Sequence, residues 1–92
     1  MQTNLVQIQQ EGRDIGYGKL GAVVPAGEEG FEITLNDVHL GEEINFKIAG
    51  PFRIRIEDKK FDDCTPTNFR NLRPGCDYDR VIFRTDKKPR LG

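Results

Sequence analysis

The residue types able to do chemistry fall into a few short groupings of this 92-residue chain. Glu57-Asp58-Lys59, after the apolar run Phe52, Ile54, Ile56, is the acid-x-Lys order that metal-dependent nucleases place at a strand end. Such a site needs a further carboxylate on the adjacent strand to share a divalent cation. Glu42 and Glu43 are the acids on offer, so a nuclease stands as the weaker reading beside a solvated strand end. Asp62-Asp63 and Asp77-x-Asp79 supply clustered oxygens of the kind calcium takes, but without the spacing of an EF-hand, and read better as acidic turn residues. His39 is the single histidine and has no nucleophile or acid arranged around it in sequence, so a surface or partly buried histidine is expected. Gly16-x-Gly18-x-x-Gly21 matches the dinucleotide-binding spacing, yet Pro25 and Gly27 stand where the helix of that motif should run. Cys64 and Cys76 are too few for a disulfide scaffold; their spacing would permit one bridge, but reduced thiols are expected. With one histidine they make no zinc site either. The expectation is a protein that is not an enzyme, with no catalytic residue, no metal ligand and no cofactor.

The basic residues are the more telling group. Lys47, Arg53, Arg55, Lys59, Lys60, Arg70 and Arg73, followed by Arg80 and Arg84, all lie in the second half of the chain with aromatic residues close by. A groove lined by such residues can hold nucleic-acid phosphates, or the acidic surface of a protein that normally holds them. Solvated strand faces with cross-strand ion pairs are the plainer alternative. The net charge of −1 conceals a division: residues 1–43 carry two basic and eight acidic side chains, a net of −6, and residues 44–92 carry twelve and seven, a net of +5. Charge split between halves points to charged partners, unless folding interleaves the halves and cancels the field. The acidic half (Glu28, Glu29, Glu32, Asp37, Glu42, Glu43) also opens an inverted possibility, a DNA mimic that occupies a basic channel.

The elements that must position these groups are mostly strands. Ninety-two residues, 36% hydrophobic and 32% charged, make a single domain, 1–92, with one core and no room for a deep enclosed active site. No run of apolar residues is long enough to span a bilayer, and no basic-then-apolar leader is visible, so a soluble intracellular protein is expected. Residues 44–57 alternate apolar and polar on both sides of Gly50-Pro51, which predicts a central hairpin pairing Ile48 with Phe52, Phe46 with Ile54 and Ile44 with Ile56. Its other face shows Asn45, Lys47, Arg53 and Arg55. Strands are also predicted over residues 5–10, 15–24, 31–35 and 79–85, with Glu11-Gly12-Arg13-Asp14 in a turn and the three glycines of residues 15–24 marking a bulge or a close backbone approach. Thr65 as N-cap and Pro66 at the first helical position predict a short helix over residues 65–72, with Phe69 and Leu72 on the sheet. Residues 86–92 read as a frayed basic tail. The fold class expected is α+β: a mostly antiparallel sheet of five or six short strands with a central hairpin and one short helix.

Over residues 52–61 and 65–75 the chain resembles small phage-borne anti-CRISPR proteins, in particular those acting on the type I-F surveillance complex. These proteins share no common motif, so the resemblance rests on general character and length and transfers no site residue. It implies a non-enzymatic inhibitor in the bacterial host cytoplasm, a monomer that binds Cas protein subunits of a crRNA-guided complex, with or without contact to the crRNA, and blocks target DNA binding. Neither a membrane nor a small-molecule substrate enters that reading. Lys47, Arg53, Arg55, Lys59, Lys60, Arg70 and Arg73 would form the partner-binding face.

Overall fold

Alternation of apolar and polar residues becomes, in the computed structural model, a closed antiparallel barrel. The structure describes residues 5–41, 50–70, 75 and 77–91. The strands are β1 (Leu5–Gln10), β2 (Arg13–Ala26), β3 (Gly30–Leu40), β4 (Phe52–Ile56), β5 (Lys59–Arg70), β6 (Tyr78–Thr85) and a two-residue β7 (Arg90–Leu91). β1, β2 and β3 form a meander, β3 pairs with β6, β6 with β5, β5 with β4, and β4 returns to β1, so six strands close on themselves. Among the described residues, closure covers most of the open sheet edge that makes a β protein prone to association, leaving β2 beyond residue 20 and the second half of β5 paired on one side. No helix among the described residues is long and apolar enough to cross a membrane.

Inward-facing residues fill the interior. Val6, Ile8, Ile15, Ile33, Leu35, Val38, Phe52, Ile54, Phe61, Val81 and Phe83 are buried, with the Cys64 thiol among them. Phe52 and Phe83 meet edge to face across the barrel at 5.9 Å. Such pairs add to the free energy gained by removing the rings from water. Val6, Ile8, Val81 and Phe83 sit where alternation placed them.

The fold corrects the expected α+β class: among the described residues there is no helix, and the architecture is all-β. The helix expected over residues 65–72 falls largely within β5, where Thr65, Pro66, Asn68, Phe69 and Arg70 pair with β6. Thr65 and Pro66 carry a good helix-start signal, but local propensity is a weak prior against the burial gained by closing the barrel. Pro66 is tolerated because, among the described residues, this half of β5 has β6 as its one partner and a register shift follows directly. Of the expected central hairpin, residues 44–48 lie outside the described residues. Its second half is β4, paired on both edges: Ile54 stands opposite Ile8 on one side and Phe61 on the other.

Glycine spacing in β2 serves the close approach expected of it. A Cβ on Gly16 would lie 2.4 Å from the His39 carbonyl oxygen, so only glycine lets β2 and β3 come this near. Beyond residue 20, β2 pairs only with β3 among the described residues and shows Val23 and Val24 to solvent.

Two hairpins turn in two residues. Glu11 and Gly12 link β1 to β2 with φ of 53° and 78°, the left-handed pair typical of a twisted hairpin. Glu57 and Asp58 link β4 to β5, and Glu57 holds φ 54°. An L side chain in that region costs about 1 kcal/mol. Glu57→Gly should therefore raise the stability of the protein by about 0.5 kcal/mol, part of the relief being offset by the freer unfolded chain. A urea titration of the two proteins checks this, and a clear loss of stability would show that the Glu57 side chain makes a compensating contact.

Candidate functional site: a cross-strand row on the barrel wall

Residues directly opposite one another on paired strands point to the same side of a sheet. Following the outward residues around the wall gives one continuous row. His39 on β3 faces Tyr17 on β2, Tyr17 faces Gln7 on β1, Gln7 faces Arg55 on β4, Arg55 faces Lys60 on β5, and Lys60 faces Arg90 on β7. Two rings thus stand at one end of the row and three cations at the other. With neighbouring strands about 4.8 Å apart, the row from Tyr17 to Arg90 covers roughly 19 Å of curved surface.

The ring end is ordered. Tyr17 and His39 stack with centroids 5.1 Å apart and planes 23° from parallel, and Tyr17 is still 46% exposed. Beside them runs a groove of about 430 Å³ lined by Gln7, Asp14, Ile15, Tyr17, His39 and Leu40. The end of β3 that carries His39 is pinned by Asp77, whose Oδ2 accepts from the Leu40 amide at 2.6 Å and whose own amide donates to the Val38 carbonyl at 2.9 Å.

At the cationic end the seven basic residues picked from the sequence separate. Lys47 and Arg73 lie outside the described residues. Arg55 is exposed and Lys60 half-buried, side by side across β4 and β5. Lys59, exposed, sits one residue away at the hairpin end opposite Leu91. Neither Arg55 nor either lysine makes an ion pair with another described residue. Like charges held this close cost a few tenths of a kcal/mol, which a bound anion would relieve. Arg70 is ten positions further along β5, roughly 30 Å of strand away, opposite Arg80. It does not join the row.

Arg53 is engaged inside the protein. Its Nε donates to Asp62 Oδ1 at 2.8 Å, while Arg90 donates from Nε to Oδ2 at 2.5 Å and from Nη2 to Oδ1 at 3.1 Å. Asp62, its side chain 20% exposed, is thus a strut between β4, β5 and β7. The hydrogen bond from Arg90, with help from Arg53, holds its carboxyl below the ordinary value against the opposing effect of burial. Next to it, Thr85 Oγ1 donates to the Asp62 carbonyl at 2.6 Å and accepts from the Lys87 amide at 3.2 Å, and Lys87 pairs with Asp63. These contacts tie the segment expected as a frayed tail to β5.

A depressed carboxylate stabilises the fold above its unfolded value of about 3.9, and that contribution is lost as pH falls through the lower folded value. Wild type should therefore be more stable than Asp62→Asn at neutral pH, and the gap should close as pH falls from about 5 to below 3. Urea midpoints of both proteins across that range check it. A gap independent of pH would mean that the charge on Asp62 is not what the two arginines hold.

No protein-family model, curated protein or solved structure matches the chain.

The other groupings read from the sequence are dispersed or structural. Glu57 is a turn residue, Glu42 and Glu43 lie outside the described residues, and among the described residues no group of three or more His, Cys, Asp or Glu could hold a metal ion. Asp62, Asp63 and Asp77 are occupied as above. Burial pushes the Cys64 thiol up to about 12, and its Sγ donates to the Phe61 carbonyl at 3.3 Å, so it is protonated and unreactive at neutral pH. Among the described acidic residues of the first half, Asp37 pairs with Lys19 at 3.5 Å and Glu32 stands opposite Arg84.

Gln7, Tyr17 and Arg90 are not among the candidates that the sequence offers, and His39 reads there as a surface or partly buried histidine. Gly16-Tyr17-Gly18 held a usable signal, an aromatic residue of outward parity between two glycines in a strand. Arg90 offered none beyond its charge.

Proposed function

We propose that the protein is a non-enzymatic binding module that takes a polynucleotide, free or within a ribonucleoprotein, across the outward row of β4, β5 and β7. The single observation that carries this reading is the register that sets Arg55, Lys60 and Arg90 in line, two of them without an ion-pair partner among the described residues. A row of cations at strand spacing suits a phosphate backbone, and releasing its counterions supplies affinity without base specificity. The inhibitor reading that the sequence resemblance implies has the protein bind Cas protein subunits of a type I-F surveillance complex, with or without contact to the crRNA, and it meets this proposal where the crRNA is contacted.

Binding to labelled RNA and DNA, and co-purification with the crRNA-loaded complex, test the two levels separately. Affinity that falls steeply with salt and collapses on charge reversal at Arg55 and Lys60 is expected. Wild-type protein that binds no nucleic acid, even at low salt, would sink the proposal. Retention of nucleic-acid binding without co-purification would remove only the inhibitor reading.

A further inference from the structure

Resting on that reading, we infer that the ligand is single-stranded and that one unpaired base seats against the Tyr17–His39 ring pair, in the groove beside it. The phosphates on one side of that base then run over Gln7 to Arg55 and Lys60. The geometry points this way on three counts. The rings are in the same cross-strand row as the cations, not on another face of the barrel. Tyr17 and Arg55 are separated only by Gln7, two strand spacings or about 10 Å, a distance that a nucleotide or two can bridge.

The groove has the right lining. Its lining combines the rings of Tyr17 and His39, apolar Leu40 beside the core residue Ile15, and the polar residues Gln7 and Asp14. At about 430 Å³ it is the size of a small-molecule site and is ample for a base. Finally, the platform is rigid. Gly16 brings β2 against the His39 carbonyl, and Asp77 fixes the end of β3, so little ordering remains to be done on binding. A ring pair serving only as a cross-strand brace would need neither the groove nor the shared row. Base faces are hidden in a duplex, so only an unpaired strand can use this site. Stacking on a ring tolerates any base, which predicts little sequence preference.

The test compares oligouridylate, oligothymidylate and a DNA duplex of equal length by fluorescence anisotropy, with Tyr17→Ala, Tyr17→Phe and the Arg55→Glu/Lys60→Glu pair. Both single strands should bind wild type at least tenfold more tightly than the duplex. Tyr17→Ala should lose roughly ten- to a hundredfold on single strands with its salt dependence unchanged, and Tyr17→Phe should lose little. A difference between the two single strands assigns RNA or DNA. A second readout does not need the alanine variant to fold. The chain has two tyrosines and no tryptophan, so in Tyr78→Phe the remaining emission is that of Tyr17 and should be quenched by an added single strand. Equal affinity for duplex and single strand, or unquenched Tyr17 emission at saturation, overturns the base-seating inference while the phosphate reading stands. Absence of binding to all three probes overturns the proposed function itself, and capture of an acidic protein surface by the same charge row would replace it.

Discussion

Phe83→Ala is expected to cost about 3–5 kcal/mol, the usual range for removing a fully buried ring. Phe83 is the residue on which the barrel closes. It lies on β6 opposite Ile33 on β3 and Pro66 on β5, and its ring meets Phe52 from β4 at 5.9 Å. It has no exposed surface. Four strands on both sides of the closure therefore share one side chain, and its truncation leaves a hole that none of them can fill alone. A domain of this length has about 5–14 kcal/mol of net stability, so the loss is about a fifth of the total or more. The melting temperature should drop on the order of 20 °C. Urea unfolding with an unchanged slope would locate the effect in stability rather than in a change of compactness. A loss under about 1 kcal/mol would mean that the strands do not close around this ring.

The larger functional effect is expected from Arg55→Glu with Lys60→Glu. Both side chains face outward, so the pair should change stability by no more than about 0.5 kcal/mol per site. Each phosphate contact contributes about 0.7 to the slope of log affinity against log salt for a single strand. Losing two should flatten the slope by about 1.4, and the new carboxylates repel the strand besides. At low salt the loss should be on the order of a hundredfold or more, narrowing as salt screens the charges. Arg70→Glu is the internal comparison. It makes the same change of charge as Lys60→Glu alone and on the same strand, but roughly 30 Å away at the far end of β5, and should weaken binding only slightly. Equal losses from the two substitutions would show that net charge, not the row, attracts the ligand.

Much of the strand content was legible because alternation survives wherever a strand is regular. Val6 and Ile8, Phe52 and Ile54, Val81 and Phe83 all face inward as their parity predicts. The misses fall where a bulge breaks that parity. In β3, Ile33 and Leu35 point inward, then Asp37 with φ 50° shifts the count, so that Val38 is the next buried position. The strand expected over residues 31–35 does not end at Asn36-Asp37 but changes phase there and runs on to Leu40. In β5 the same happens twice. Phe61 is inward, Asp63 with φ 54° moves the buried set to Cys64 and Pro66, and a further register shift follows between Pro66 and Asn68. With its period of two interrupted, the segment showed only the Thr65-Pro66 helix-start signal, which is how a barrel strand came to be expected as a helix.

The basic set of residues shows the same division between local and non-local information. Composition and alternation along the chain establish that the second half is basic and that Arg55 lies on the outward face of a strand, and they mark the glycines around Tyr17 as a bulge or a close backbone approach. Which of those charges meet depends on how the strands pair. The row His39, Tyr17, Gln7, Arg55, Lys60, Arg90 gathers residues from six strands, and its order depends on β4 pairing with β1 and on β7 pairing with β5. The β4–β1 pairing follows from closing the barrel around Phe52 and Phe83, a free energy shared by the whole chain, and β7 adds to β5 outside that closed ring. The same closure turned Arg53 and Arg90 toward Asp62, left Arg55 and Lys60 facing solvent, and carried Arg70 to the other end of β5. Charge is written residue by residue, but a charged site requires neighbours, and in a barrel the neighbours are set by which edges join.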